Sequence, residues 1–398
     1  MNHLSVKKNL FLASLGVALA MAALSTAHAE ETPAPKKQTA IALAMLGEVP
    51  APYVNLKRDI HGREGYDSEV LTAEIQKLRN FGMVINANRG FGLLESFAGT
   101  YFNTDLLGRR VVPNQPANPE KLRGVGFFGG STAFSMGTDD GGAVPGRMQK
   151  LFNEKKAQVP VFNYGVPGYA STLELTYFIE ATRLQPMSVA VFYDGTNEIV
   201  NYMNQLQSGA QSPMFEATGY PFYYGLARAI ANIPGVEDGH PMDLARRHQF
   251  YAPLVKPTIP MNGLITPENV EGHAKKLLAL YEANVKDITT LAKAKGIRPV
   301  FVWQPDIYLT KKPMTADEAL IHAQFPAHRL LAETVKRHLF EDVRAGRLKD
   351  ATFIDTSNAL DDMAEAAFFD FCHTSRAANE RVAQIIMTEL SKSEKTKK

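Results

Sequence analysis

The chain has 398 residues, 45% of them hydrophobic, and a formal net charge of +2. That length and apolar fraction suit one large α/β domain with insertions, or a domain with an appendage. The near-neutral charge excludes the basic footprint of a nucleic-acid binder, and the single cysteine, Cys372, excludes an intrachain disulfide.

Lys7 and Lys8 precede an apolar run from Leu10 to Leu24, which ends in Ala27-His28-Ala29. This is the layout of a signal peptide over residues 1–29, cut before Glu30. The run is shorter than the roughly 20 apolar residues a spanning helix needs. The expected protein is therefore exported, periplasmic or secreted, without a membrane span once the signal is removed, and loss of the two lysines cancels its net charge.

Residues 30–118 read as a linker followed by an N-terminal extension packed on the main domain. Glu31 to Gln38 has linker composition, and Ser68 to Asn80 carries a helical pattern. Tyr101 to Arg110 is polar and turn-rich; it either docks beside the first strand of the main domain or covers a sheet edge. The domain itself is expected over 119–392. Strands are predicted at Gly124–Phe128, Val159–Asn163, Ser188–Tyr193, Arg298–Trp303 and Thr352–Asp355. Helices are predicted at Val144–Lys156, Ser171–Leu184, Pro267–Lys295, Ala316–Ala345 and Arg376–Leu390. Strands separated by helices of this length pair in parallel through right-handed crossovers. The expected fold is α/β, a three-layer doubly wound sheet of about five parallel strands, flavodoxin-like in plan. An aromatic-rich insertion interrupts it at about 205–266, with Tyr220 among several rings that serve either as a platform for flat substrate surfaces or as a small satellite core. Residues 393–398 read as a solvated tail.

The chemistry gathers at the carboxyl ends of the first three strands. Gly129-Gly130 allows a sharp turn that carries Ser131 to the sheet edge as a candidate nucleophile. Gly168, in Asn163-Tyr-Gly-Val-Pro-Gly168, brings a backbone N–H to the same edge, and Asn197 follows the third strand in Gly195-Thr196-Asn197. With the Ser131 N–H these supply three oxyanion donors. Asp370-Phe-Cys-His373 stands before the last helix, where Asp370 can bond Nδ1 of His373 and leave Nε2 free. Cys372 has no separate base in sequence and is expected to be inert packing. Asp139 and Asp140 read as a solvated turn. Trp303 and Gln304 end the fourth strand and are carried as substrate-contact candidates beside Tyr220. His61, His240, His248, His273, His322, His328 and His338 show no metal-binding spacing, and neither metal nor cofactor is expected.

The stretches Gly129-Gly-Ser-Thr132, Asn163-x-Gly-x-x-Gly168, Gly195-Thr-Asn197 and Asp370-x-x-His373 resemble the four blocks of the SGNH, or GDSL-type, hydrolases in order and spacing. The resemblance spans about Gly124 to Leu390. It implies Ser131 as nucleophile, the Ser131 and Gly168 amides and the Asn197 side chain as oxyanion hole, His373 as base and Asp370 as its orienting partner. Two positions depart from the family: Gly130 stands where Asp is usual, and Glu198 follows Asn197 in place of Asp. The implied activity is hydrolysis of an acyl ester on a small molecule or glycan, plausibly an O-acetyl ester. An O-acyltransferase using the same residues and a non-catalytic polysaccharide-binding protein on the same scaffold stay open at this point.

Overall fold

The computed structural model describes residues 51–78, 83–86, 89–93, 95–208 and 261–395. The expected signal peptide, the Glu31–Gln38 linker, Tyr220 and most of the aromatic insertion lie outside these residues. The order is α1 (Ala51–Glu64), α2 (Ser68–Lys77), β1 (Met83–Asn86), β2 (Gly90–Leu93), β3 (Gly124–Gly129), α3 (Ser131–Phe134), α4 (Val144–Glu154), β4 (Val161–Gly165), α5 (Ser171–Leu184), β5 (Met187–Asp194) and α6 (Thr196–Ser208). After the insertion come α7 (Met261–Leu264), α8 (Val270–Ala294), β6 (Arg298–Trp303), α9 (Ala316–His322), α10 (Pro326–Arg344), β7 (Thr352–Asp355) and α11 (Arg376–Lys395). No helix among the described residues is long and apolar enough to cross a membrane.

The main sheet has five strands in the order β4-β3-β5-β6-β7, all parallel. The chain leaves β3 toward β4 on one side and returns to β5 on the other. The gap between the carboxyl ends of β3 and β5 is therefore a topological switch point, where open α/β sheets form their crevice. Both faces are covered, which is why the strands read as continuous apolar runs rather than alternating ones. On one face Val125, Phe127, Val161, Val191, Val300 and Val302 pack against Val144 and Met148 of α4 and Val382 and Ile386 of α11. On the other, one ring from each strand meets its neighbour in register: Tyr164, Phe128, Phe192, Phe301 and Phe353 stack at centroid separations of 4.7 to 5.3 Å. Burying rings of this size supplies a large share of the apolar driving force.

The predicted helix over 316–345 is broken in two. Pro326 cannot donate to the preceding turn, and Phe325 before it is forced out of helical geometry to φ −127° and ψ 70°. The last helix runs through Lys395, into the stretch expected to be a tail. In the extension, α1 and the antiparallel pair β1–β2 carry no periodicity strong enough to be read from sequence. Asp139 and Asp140 are not a solvated turn. Asp139 Oδ1 accepts from the Tyr66 hydroxyl at 2.8 Å, and Asp140 takes the Arg110 guanidinium at 2.9 Å and the Asn103 amide at 2.9 Å.

Candidate active site

Ser131 opens α3 directly after β3, and its backbone N–H, as a first-turn amide, has no intrahelical acceptor. Gly130 before it is required by close approach. A Cβ there would lie 1.9 Å from Asn197 Nδ2 and 2.8 Å from the Tyr169 carbonyl. An Asp side chain at this position would run into the Asn197 amide and the Tyr169 carbonyl, and the same close approach sets Asn197 against the turn that carries Ser131.

Gly168 is the third residue of a tight turn closed by Tyr169 N–H donating to the Val166 carbonyl at 3.0 Å. Pro167 fixes the second position, and Gly168 takes φ +88°, the type II geometry that a Pro-Gly pair favours. Tyr169 O then accepts from Asn197 Nδ2 at 2.5 Å, so the Gly168 loop and the Asn197 loop are joined. A second tie is made by Glu198. Its Oε1 accepts from Ser171 N–H at 2.9 Å and its Oε2 from Gly195 N–H at 2.8 Å, with the side chain 6% exposed. A carboxylate one methylene longer than Asp spans the two loops here. Behind it lie Asp194 and Glu174, whose carboxyls come within 4.8 Å of the Glu198 carboxyl and of one another. Burial, then the Glu198 charge, pushes the Asp194 pKa up to about 8, and burial with the two neighbouring carboxyls drives Glu174 well above its usual range. Carboxyls this close and this buried favour keeping at least one of them protonated.

The Asp370–His373 turn is held by an antiparallel bridge between Phe368 and Thr374 and by Phe369 N–H donating to His373 O at 2.8 Å. It sits at the carboxyl edge of the sheet, where Ile307 N–H, just after β6, donates to Phe371 O at 2.9 Å. Asp370 Oδ1 accepts from the backbone N–H of Cys372 and His373 at 2.9 and 2.8 Å, and Oδ2 takes His373 Nδ1 at 2.7 Å. Burial opposes ionisation of Asp370, but the His373 ring and these hydrogen bonds outweigh it and hold the pKa at about 2. His373 Nε2 is buried and makes no hydrogen bond among the described residues, and it is not bonded to Ser131 Oγ. In an unliganded site such a contact is often open. Cys372 is buried, and burial followed by the Asp370 and Asp306 charges raises its thiol pKa well above the usual range, so it stays a thiol.

No family model matches the chain, and no curated protein matches it in sequence. Solved structures are similar to it in structure. The chain is similar to a GDSL-like lipase from Bacteroides thetaiotaomicron at 12% identity, over 70% of this chain and 92% of that one, with a TM-score of 0.33. It is similar to a psychrotrophic esterase from Pseudoalteromonas sp. at 9% identity, over 68% and 98%, with a TM-score of 0.33. An acetyl xylan esterase matches at 12% identity, over 67% and 98%, with a TM-score of 0.34.

Trp303 and Gln304 lie under the site rather than on its surface, 2% and 3% exposed. The indole packs edge-on against Tyr281 and sits beneath Gly195, and the Gln304 amide is bonded to protein groups. Other side chains that shape the site come from the extension. Arg110, 1% exposed, donates to the carbonyls of Phe134, Ser135 and Thr138, closing the end of α3. His61 bonds the Gly137 carbonyl through Nε2 at 3.0 Å and packs against Phe369 with ring centroids 5.1 Å apart. Burial lowers its pKa to about 4, so this imidazole is neutral. Arg89 lies 3.7 Å above the Tyr177 ring and donates to the Tyr169 hydroxyl at 3.3 Å. The position of Arg110, at the end of a turn-rich segment close in sequence to β3, is the one signal of this role that the sequence offers.

Proposed function

We propose that the protein is an exported serine ester hydrolase, acting on an acyl ester, such as an O-acetyl ester, of a small molecule or saccharide. The observation that carries the reading is the 2.7 Å contact of Asp370 Oδ2 with His373 Nδ1, which leaves Nε2 unbonded at the sheet edge that Ser131 also occupies. A binding module has no use for an oriented imidazole at the same sheet edge as a helix-start serine.

In this reading His373 Nε2 takes the Ser131 proton as Oγ forms a bond to the ester carbonyl carbon. The carbonyl oxygen becomes an oxyanion held by the Ser131 and Gly168 N–H groups and by the Asn197 amide hydrogen not committed to Tyr169. The bond from carbon to the leaving alcohol breaks, and His373 returns the proton to that alcohol. Water, deprotonated by the same nitrogen, then cleaves the acyl-enzyme and restores Ser131. Asp370, ionised at any working pH, holds the tautomer and stabilises the transient imidazolium.

The test is turnover of a chromogenic short-chain acyl ester, together with labelling by a fluorophosphonate, whose fluoride is displaced by an activated serine. Wild type is expected to turn over and to be labelled at Ser131. Ser131→Ala is expected to lose at least about 10⁵-fold in kcat and all labelling. Turnover retained by purified Ser131→Ala removes the assignment.

A further inference from the structure

We propose that Gln304 is a positioning residue for this reaction: its side-chain amide fixes the nucleophile turn and the oxyanion loop to each other. The proposal rests on the assignment of Ser131 and Asn197 above. Gln304 follows β6, where its backbone N–H donates to Asp194 O at 2.9 Å, so its side chain projects beneath the gap between β3 and β5. Gln304 Oε1 accepts from Thr132 Oγ1 at 2.7 Å, and Thr132 is the residue after Ser131. Gln304 Nε2 donates to Thr196 Oγ1, and Thr196 is the residue before Asn197. Thr196 Oγ1 in turn donates to Asp306 Oδ2 at 3.1 Å. Thr132, Gln304, Thr196 and Asp306 are 8%, 3%, 3% and 2% exposed, so water cannot replace any of these partners without cost.

The chain of bonds has one direction. A threonine hydroxyl carries one hydrogen, and that of Thr196 is committed to the Asp306 carboxylate, so Thr196 Oγ1 can only accept from position 304. Position 304 must therefore supply a donor on the Thr196 side and an acceptor on the Thr132 side, at fixed separation. An amide does both. A carboxylate supplies only acceptors, and a carboxylic acid again supplies both. Burial near the Asp306 carboxylate favours the protonated form of a carboxyl at this position; around Asp306 stand His328, whose Nε2 lies 3.5 Å from Oδ2, the Tyr308 phenol, His322 and the Cys372 thiol, and Asp194, whose carbonyl takes the Gln304 N–H, adds a further buried carboxyl.

The experiment compares wild type with Gln304→Glu on a chromogenic acyl ester from about pH 8 to about pH 5, with active sites counted by fluorophosphonate labelling. The expected result is a kcat per labelled site about tenfold below wild type at the alkaline end, with KM within about twofold. As pH falls, the ratio of variant to wild-type kcat should climb toward unity, because the acid form restores the missing donor. A buried glutamine that served stability alone would lower the melting temperature or the folded yield while leaving kcat per site and the pH ratio flat, and that result overturns the proposal. If Gln304→Glu does not fold, Thr132→Val and Gln304→Met decide the matter: non-additive losses in kcat per site are expected, and additive or absent losses overturn it. Wild type that is neither active nor labelled overturns both this inference and the assignment of Ser131; labelled wild type with a flat Gln304→Glu ratio overturns this inference alone.

Discussion

The two halves of the candidate site are held by different means. On the side of the proposed nucleophile, Ser131, Gly168 and Asn197 sit on three separate loops joined by buried side chains, Glu198 bridging two of them and Gln304 joining the first to the third. On the base side, Asp370 and His373 share one short turn whose internal bonds are mostly backbone and local. That turn is anchored from outside by Ile307 N–H on the Phe371 carbonyl and by a buried ion pair beside it. Glu318 Oε1 accepts from Ala367 N–H at 2.9 Å and its Oε2 takes Lys312 Nζ at 2.6 Å, both side chains fully buried. The oxyanion half thus depends on long-range tertiary agreement, and the base half on one local motif and its anchor. Damage should propagate among the loops of the first half and stay confined in the second.

Asp370→Asn should produce the largest effect of the substitutions that probe this contrast. It keeps the size of the side chain but favours the wrong tautomer of His373, and a loss of about 10⁴-fold in kcat is expected with KM little changed. Asn197→Ala should cost about 10²- to 10³-fold, and because it also empties the space against Gly130 it should weaken the Gly168 loop; backbone hydrogen exchange at Tyr169 and Ser171 should rise. Exchange unchanged there would break the claim that the first half is one unit. Lys312→Met leaves the Glu318 carboxylate buried without its counter-ion, and a loss of about 3–5 kcal/mol in urea unfolding is expected, with kcat per folded site nearly intact. A large fall in kcat per site instead would show that the anchor and the base turn are not separable.

The smallest expected effect concerns the acid pair behind the oxyanion loops. An unfolded chain releases the Asp194 and Glu174 protons near about pH 4, whereas the folded protein holds the Asp194 proton to about 8. Between those limits the folded state binds more protons than the unfolded one, so stability falls as pH rises. Glu174→Gln keeps a donor toward Asp194 and removes one titrating group. The difference in melting temperature between about pH 5 and about pH 8 should shrink by a few degrees; an unchanged difference would show that the pair does not set the slope.

The parallel sheet was legible because its strands are short apolar runs bounded by helical periodicity, and β6 and β7 fall where the pattern places them. Ser131, Gly168, Asn197, Asp370 and His373 could be picked out because turn glycines and an Asp-x-x-His spacing are local signals. The supporting residues were not. Arg110, His61 and Glu318 act on carbonyls or amides that are 24 or more residues away in sequence; the turn-rich segment before β3 hints at Arg110, and nothing in their immediate neighbours marks the other two. Pro326 was a local signal that outweighed the periodicity around it. Gln304 was visible as a polar residue at the end of a strand, but only the register of β6 against β5 turns it inward, between Thr132 and Thr196.

The three carbonyls that Arg110 closes lie at the far end of α3, and they have a consequence for how the protein is made. During synthesis the extension emerges before any strand of the main sheet, so its guanidinium has to wait for residues 134–138 before its bonds can form. A main domain expressed from residue 119 onward would be left with these acceptors facing a gap where a charged donor belongs. The extension thus supplies, on the same chain and ahead of them in sequence, the buried donor that these three carbonyls use.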